Sequence, residues 1–218
     1  MNDIRLFSYK MTNDTGFAPN PFHGVLTLAN CKPLIRRCKR VGDWIAGFTS
    51  KELNGELSGE ERLVFLMKVT DKISYSEYWN DPLFEMKKPN LLSVNTIDKA
   101  GDNIYQPLKV NALLSNDFKQ VENKNHKECN QLHDISGEYV LISNCFYYFG
   151  SSPVKIEYEI RPGIPQRQSA HGKRTHDKEI AKKFIEYIQK KYPIGIVNTP
   201  HRWPDKILIG QKPTVKCK

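Results

Sequence analysis

Two polar side chains stand in a proline-rich loop, residues 17–23, where they could contact the edge of a nucleobase. Asn20 offers a hydrogen-bond donor and an acceptor side by side, and His23 can both bind and carry a proton. The prolines restrict the loop before binding, which lowers the entropic cost of binding. We therefore predict base contacts from Asn20, His23 and the adjoining Phe22. The alternative is a structural loop whose phenylalanines fill the core.

Arginine side chains that suit phosphate are concentrated in two places. Arg36 and Arg37 belong to a densely basic stretch, and Arg167 and Arg174 lie directly before a predicted amphipathic helix, whose N-terminus would attract anions. A guanidinium group binds phosphate through two parallel hydrogen bonds. We predict that these four arginines hold phosphates. The alternative is that they are solvated surface residues.

Aromatic side chains could supply the faces on which a base stacks, an interaction of about 1–3 kcal/mol per base. The candidates are Trp44, Tyr78, Trp79 and Tyr148. For any single one of these residues, a place in the hydrophobic core is the competing interpretation.

Acid–base chemistry would fall to His23, His171 or Asp81, because a histidine titrates near neutral pH and a carboxylate can act as its partner. The sequence contains no phosphate-binding glycine loop, no GxSxG and no HExxH, so it predicts no particular reaction and no cofactor. A His-x-x-Cys-x-x-x-His pattern at residues 126–133 has zinc-ligand types, but it lies in a polar segment. Chance composition explains that pattern better, and we predict no metal.

The elements that must position these side chains are mostly strands. Apolar and alternating patterns predict strands at residues 4–9, 24–28, 44–48, 62–70, 139–143 and 145–149, with shorter pieces at 104–105 and 110–114. Residues 32–40 are predicted as a basic connection, and residues 115–135 as a mobile insertion. These strands outnumber the helices and do not alternate with them, which indicates an α+β fold with a mixed or antiparallel sheet.

Two helices are predicted from their ends. Ser74 and Glu77 have the spacing of a capping box, and Pro82 would end that helix. The second helix spans residues 177–192, where apolar residues recur every four positions before Pro193.

Composition fits a folded protein with a basic surface. The net charge is +9, and the excess of Lys and Arg lies in residues 1–50 and 151–218. Such a surface attracts phosphate-bearing ligands, although lysines also serve solubility. No apolar run is long enough to cross a bilayer, and residues 1–9 do not have a signal-peptide pattern, so we predict a cytoplasmic protein without membrane contact. Five cysteines, none in CxxC spacing, argue against a disulfide scaffold.

Four stretches, residues 16–24, 31–37, 41–47 and 77–82, together resemble the second type of nucleotide modification associated domain. Residues 146–150 fit the same family, so the resemblance covers most of the chain. It implies that residues 1–218 form one such domain, with a role near enzymes that modify DNA bases. It does not imply a known reaction.

The order of strands and the short helix is also similar to the PUA-like group, including its ASCH and EVE branches. That resemblance implies a small β-barrel-like sheet with a few packed helices and an aromatic cleft for a base, by analogy of fold alone.

Together these features predict a protein that binds a nucleotide, or a modified base in nucleic acid, through an aromatic and basic cleft. The main alternative is a hydrolase or transferase acting on such a ligand. A further alternative is a phage-defence component whose partner is a DNA-modification or defence protein.

Overall fold

The computed structural model describes residues 4–167 and 169–203, which form three β-sheets with helices packed around them. The strands are β1 Leu6–Lys10, β2 Leu26–Leu28, β3 Trp44–Phe48, β4 Leu63–Lys68, β5 Asp71–Ser74, β6 Tyr105–Pro107, β7 Phe118–Gln120, β8 Tyr139–Ser143, β9 Cys145–Tyr148, β10 Lys173–Thr175 and β11 Gly195–Ile196. The α-helices are α1 Pro33–Cys38, α2 Lys51–Asn54, α3 Tyr75–Asn80, α4 Thr96–Lys99, α5 Gln131–Ile135 and α6 Lys178–Lys191. Short 3-10 helices cover Pro82–Lys87, Ser115–Asp117, Glu128–Asn130 and Tyr158–Ile160.

The largest sheet has six strands in the order β10, β1, β3, β4, β9, β11. β1 is parallel to β3 and β9 is parallel to β11, whereas the other neighbours are antiparallel. The predicted α+β class with a mixed sheet is therefore confirmed. The predicted PUA-like barrel is not, because the described strands leave the sheet open. Its edges, β10 with 3 residues and β11 with 2, are too short to close it.

Both faces of the large sheet are covered by apolar side chains. On β4, Leu66 packs in one cluster with Phe184 of α6, whereas Phe65 and Met67 belong to the cluster on the opposite face. This alternation follows from the two-residue period of a strand. The large sheet therefore separates α6 from the loops that carry the candidate site.

The second sheet, β2–β8–β5, is antiparallel, and the third is the β6–β7 hairpin. Their apolar side chains form a third cluster with α3, which includes Tyr75, Tyr78, Tyr105, Phe118 and Val140. β2 ends at Leu28, and residues 29–32 then connect it to α1. This connection forms one wall of the candidate site.

Most predicted elements are confirmed, including β3, β4, β8, β9 and the helix α6. The capping box at α3 is also confirmed, because Ser74 and Glu77 make both reciprocal hydrogen bonds. Two local predictions are wrong. Residues 32–40 contain the helix α1, and residues 110–114 contain no strand. No helix among the described residues has the length and apolar character needed to cross a membrane.

Candidate functional site

Two adjoining cavities open on either side of Cys31, and together they are called the Cys31 cleft below. The inner cavity has a volume of about 230 Å³, and its lining includes Tyr9, Phe17, Asn30, Cys31, Lys32 and His126. The outer cavity has a volume of about 650 Å³, and its lining includes Cys31, Lys32, Leu34, Arg37, Ser136 and Ser169. Cys31 and Lys32 therefore stand where the two cavities meet.

The backbone of Cys31 is held in an unusual conformation. Its φ is 58°, and Lys32 follows at φ 42°, so two successive non-glycine residues are left-handed. The Cys31 N–H donates to Asp134 Oδ1 at 2.7 Å, and the Cys31 carbonyl accepts from Arg36 Nε at 2.8 Å. Pro33, which lacks an N–H, then occupies the first turn of α1. The thiol is thus positioned by buried hydrogen bonds on both sides of its backbone.

His126 and Asp134 complete a compact group with Cys31. One thiol, one imidazole and one carboxylate atom lie within 4.8 Å of one another. Asp134 Oδ2 is 2.7 Å from His126 Nε2, a short ion pair that lacks the angle of a linear hydrogen bond. Burial lowers the pKa of His126, but contacts with Asp134 and Cys31 outweigh burial and raise it to about 10. The imidazole is therefore protonated at neutral pH.

Thiol, imidazole and carboxylate are also zinc ligand types, so the group must be tested as a metal site. The oxygens of Asp134 already accept from the Cys31 N–H and from the Tyr105 hydroxyl at 2.9 Å. The Arg36 guanidinium lies 3.9 Å from Asp134 Oδ1. These donors use part of the acceptor capacity of the carboxylate, and the fixed positive charge of Arg36 beside it disfavours a metal cation.

The inner cavity combines aromatic walls with polar groups. Phe17 packs against the His126 ring at a centroid distance of 5.3 Å, and Lys32 Nζ lies 5.3 Å from the centre of the Tyr9 ring. Burial lowers the pKa of Lys32. Asn30 donates from Nδ2 to the Asp102 carbonyl at 2.8 Å, but its buried Oδ1 has no partner among the described residues. The cavity thus offers an unused acceptor and an ammonium group beside aromatic rings.

Comparison with known proteins identifies the family. The model of the nucleotide modification associated domain 2 matches residues 3–206, which is most of the chain. The chain belongs to the nucleotide modification associated domain 2 family. No curated protein and no solved structure matches it. The description of this family associates it with nucleotide modification. Residues 31–37, which carry part of the resemblance, supply five lining residues of the Cys31 cleft.

The position of Arg36 does not fit its predicted contact with phosphate. Arg36 is completely buried and donates to Cys31, Tyr75, Tyr139 and Asp134 at 2.6–2.8 Å. Its guanidinium would have to leave these acceptors to reach a surface ligand. The physical reason is the position of each residue around helix α1, which directs Arg36 into the core and Arg37 towards solvent.

The other three predicted phosphate ligands are exposed. Arg37 lines the outer cavity, and its side chain is 47% exposed with Glu138 3.7 Å away. Arg167 and Arg174 lie on the segment that also contributes Ser169 to the outer cavity. His171, a predicted acid–base residue, is exposed on the same segment. The structure thus brings Arg37 and this segment to one cavity.

Asn20 and Tyr78, predicted base contacts, belong instead to a buried polar network. Asn20 accepts from Lys87 Nζ at 2.9 Å and donates to the Ala100 carbonyl at 2.9 Å. Tyr78 donates to Asp102 Oδ1 at 2.7 Å. Burial lowers the pKa of Lys87 to about 8, with Asp102 opposing it. Neither Asn20 nor Tyr78 is exposed to a ligand, because each is at 0% exposure.

Phe22 and Tyr148, two further predicted base contacts, also lie in the core. Phe22 is 1% exposed and Tyr148 is 0% exposed. The Tyr148 hydroxyl donates to Asp14, which is itself buried and whose pKa is raised by that burial. Their rings therefore present no face to a base, since packing against the protein occupies both.

His23 and Trp44 lie away from the Cys31 cleft. His23 is half-buried at φ 57°, and burial lowers its pKa, with Asp98 Oδ1 4.0 Å from its Nε2. Trp44 is 7% exposed and lines a separate cavity of about 390 Å³ beside Arg5, whose guanidinium is paired with Asp43.

Trp79 and Asp81 also have structural surroundings. Trp79 is half-buried with Lys88 Nζ 4.4 Å from its ring centre. Asp81 Oδ1 accepts from the Leu83 N–H at 2.9 Å and so caps the 3-10 helix that follows α3. These two residues and the two above are therefore not brought to the same site as Arg37.

Sequence reasoning missed Cys31, His126 and Asp134 as a group. Cys31 is about a hundred positions from the other two residues, so no spacing motif connects the three. His126 belongs to the pattern that was considered for zinc, but its partners in that pattern, Cys129 and His133, are both exposed. The one available signal was the position of Cys31 at the start of a family-like stretch, directly after buried Asn30.

Proposed function

We propose that the Cys31 cleft binds a nucleotide, or a modified base in nucleic acid. The observation that carries this proposal is the pairing of a small polar and aromatic inner cavity with a larger outer cavity that has Arg37 at its edge. Membership of the nucleotide modification associated domain 2 family supports the ligand class. The predicted aromatic and basic cleft is retained, but at a different place and with different aromatic residues.

The inner cavity suits a base. Tyr9 and Phe17, each 3% exposed, supply small apolar parts of its wall, and Asn30 Oδ1 can accept a hydrogen bond from a ring or exocyclic N–H. An acceptor that is buried without a partner is costly, by about 1–3 kcal/mol, so a ligand that donates to it gains this energy back. A base that enters this cavity must first leave the stack, which favours single strands or free nucleotides.

The outer cavity suits the sugar and phosphate. Lys32 stands at the junction of the cavities and Arg37 at the outer edge, so positive charge lines the route from the base position to solvent. The segment bearing Arg167 adds exposed positive charge beside the same cavity. Phosphate contacts of this kind give affinity without reading sequence.

Binding is tested by fluorescence anisotropy of labelled single-stranded DNA, single-stranded RNA and duplex, with unlabelled nucleotides as competitors, at about 50 and about 200 mM salt. Arg37→Ala should weaken polymer binding several-fold and flatten the log–log salt slope by about 0.7, the value for one lost phosphate contact. Arg62→Ala is the matched control. Arg62 is 50% exposed with Glu56 at 3.7 Å, against 47% and 3.7 Å for Arg37, but it lies outside the cleft.

Equal effects of Arg37→Ala and Arg62→Ala would contradict the assignment of the outer cavity. Absence of binding by every polymer and nucleotide would contradict the proposal as a whole. A protein partner from DNA modification or defence is a separate prediction, which a salt-insensitive pull-down would test.

A further inference from the structure

A thiol, an imidazole and a carboxylate meet at the wall that separates the inner and outer cavities. Cys31, His126 and Asp134 present these groups within 4.8 Å of one another. Nucleophilic catalysis requires three parts, namely a nucleophile, a base within reach of it, and a group that orients the base. The proposed binding function uses the cavities around Cys31 but leaves this group without a role.

The nucleophile is held rigidly at the surface of a cavity. Cys31 is half-buried, and both polar groups of its backbone are bonded to buried residues, the N–H to Asp134 and the carbonyl to Arg36. Its φ of 58° is costly for a non-glycine residue, and so is the φ of 42° at Lys32. Such conformations persist where the surrounding structure enforces them, and they concentrate at functional sites.

The buried carboxylate of Asp134 orients His126, the base of this group. Asp134 is 0% exposed, and its Oδ2 lies 2.7 Å from His126 Nε2 and accepts from the Tyr105 hydroxyl. Phe17 covers the other side of the imidazole ring. His126 itself is 10% exposed in its side chain and lines the inner cavity, so it faces the space where a ligand would lie.

A structural ion pair would not require a thiol, a cavity and an unpaired acceptor in the same place. Lys32 lies beside Cys31, and Asn30 Oδ1 is buried without a partner in the described part of the chain. Zinc is disfavoured because the Arg36 guanidinium places a fixed positive charge 3.9 Å from Asp134 Oδ1. The surroundings therefore favour covalent chemistry by the thiol.

We propose that Cys31 is the nucleophile of a hydrolase that acts on the ligand of the Cys31 cleft, with His126 as acid and base and Asp134 as the residue that positions His126. This inference rests on the proposed nucleotide-binding function for its substrate class. The substrate is a nucleotide or base that carries an amine leaving group on an sp2 carbon, such as an acyl or amidine carbon.

The reaction balances without any oxidant or cofactor. Because His126 is protonated, the reacting form of Cys31 is its thiolate, paired with the imidazolium. The thiolate forms a C–S bond with the sp2 carbon, and the C–N bond breaks as His126 protonates the departing amine. Water then attacks the same carbon while the neutral His126 takes its proton. The C–S bond breaks, which restores the thiolate beside the protonated His126. The ammonium group of Lys32 lies where it can stabilise the negative charge that develops on the attacked group.

Iodoacetamide tests the thiol directly, without any nucleotide. Carboxamidomethylation of the intact protein is followed at about pH 6, where an ordinary thiol is almost entirely protonated, and each cysteine peptide is quantified by mass spectrometry. Cys38 and Cys129 are free and exposed, so they are internal references. We expect Cys31 to react at least about tenfold faster than both, although it is less exposed.

His126→Gln should reduce the Cys31 rate to that of the references or below, while Cys38 and Cys129 keep their rates. A far-ultraviolet circular dichroism spectrum equal to that of the unsubstituted protein shows that the variant is folded. Asp134→Asn should shift the pH dependence of the Cys31 rate, because its role is to position His126.

A Cys31 rate no higher than the reference rates overturns the proposal, and so does a His126→Gln variant with undiminished Cys31 reactivity. Stoichiometric zinc in the purified protein that protects Cys31 until a chelator is added overturns it in favour of a metal centre. A reactive Cys31 in a chain that binds no nucleotide overturns only the substrate class, so the two proposals fail separately.

Discussion

Replacement of Arg36 by methionine tests whether this arginine is structural. Methionine fits the length of the arginine stem but lacks all four donated hydrogen bonds, which end on Cys31, Tyr75, Tyr139 and Asp134. The Arg36 side chain is fully buried, and two of the acceptors, on Tyr75 and Asp134, belong to buried residues. We therefore expect a large loss of stability from a substitution that keeps the side chain apolar and similar in volume.

The size of the stability loss depends on how well the former partners of Arg36 are still paired after the substitution. Removal of one member of a buried charge pair costs about 3–5 kcal/mol, because the other member is left uncompensated. Asp134 keeps His126 at 2.7 Å and the Tyr105 hydroxyl at 2.9 Å, so its charge is only partly uncompensated. Loss of bonds to neutral carbonyls adds about 1 kcal/mol each, without full additivity. These terms together give a loss of about 4 kcal/mol in the free energy of unfolding.

Urea unfolding followed by far-ultraviolet circular dichroism measures this loss. With a denaturant dependence of about 2 kcal/mol per molar, the transition midpoint of Arg36→Met should fall by about 2 M. Arg37→Met is the control on the same helix. Arg37 is 47% exposed and contacts Glu138 at 3.7 Å, so its loss should change stability by less than about 0.5 kcal/mol. If Arg36→Met proves too unstable to purify, Arg36→Lys keeps the charge and should show a smaller loss.

Equal midpoints for Arg36→Met and Arg37→Met would refute the structural role. A variant of Arg36 that keeps its stability but loses oligonucleotide affinity would restore the phosphate role that the sequence predicts. The two urea midpoints do not depend on the identity of the ligand, because stability is measured in its absence.

Two further predictions use the same surroundings. Gly137→Ala should lower the free energy of unfolding by about 1–3 kcal/mol, because the new Cβ would lie 2.5 Å from the Arg36 guanidinium. Gly163→Ala is the control and should change stability little, because its nearest contact would be at 3.4 Å. Urea unfolding midpoints compare the two variants. The contribution of His126 to stability should be complete below about pH 6.5 and be lost towards pH 10, because the pKa of His126 rises to about 10 on folding beside Asp134. His126→Gln should lack this slope, and an identical slope in both proteins would exclude His126 as its source.

The regular parts of the fold were predictable because their apolar residues are periodic. β4 has an apolar run of strand length, and α6 buries Phe184 and Ile188 four residues apart. The helix α1 was missed because it is 6 residues long, carries two arginines and follows two left-handed residues. Pro33 at its first turn was the available signal, but a short basic segment with a proline indicates a loop equally well.

The open sheet was not predictable from the order of elements. Closure depends on the length and pairing of the edge strands, and β10 and β11 are too short and irregular to be recognised from periodicity. The parallel pairing of β9 with β11 depends on a long return of the chain through α6, which local patterns do not encode.

The candidate site was predictable in chemistry but not in place. Basic and aromatic residues do surround the Cys31 cleft, yet the aromatic residues are Tyr9 and Phe17 and the arginine at its edge is Arg37. Neighbouring Arg36 and Arg37 are indistinguishable in the sequence. A rotation of about 100° per residue along α1 decides which of them is buried.

The long irregular segments explain why so many polar residues misled the sequence interpretation. A loop that packs into the interior must satisfy its own carbonyl and N–H groups, and buried side chains do this where no strand can. Asn20 and Lys87 satisfy loop carbonyls in this way, and Arg36 does so at the end of β2. A polar side chain in such a loop therefore has a structural use that resembles a binding motif in the sequence.

These structural residues differ from candidates for function because their polar side-chain groups already have hydrogen-bond partners in the protein. Arg36 and Asn20 have their polar groups bonded to the protein, so a ligand could bind them only by displacing existing bonds. Asn30 is as buried as they are, but its Oδ1 lacks a partner in the described residues, and it lines the cavity that Cys31 and His126 also line. Because an unsatisfied buried acceptor lowers stability, its retention beside a held thiol is better explained by a ligand than by the fold. By this criterion, an unpartnered buried polar atom, residues 30–32 are better candidates for base contact than residues 17–23.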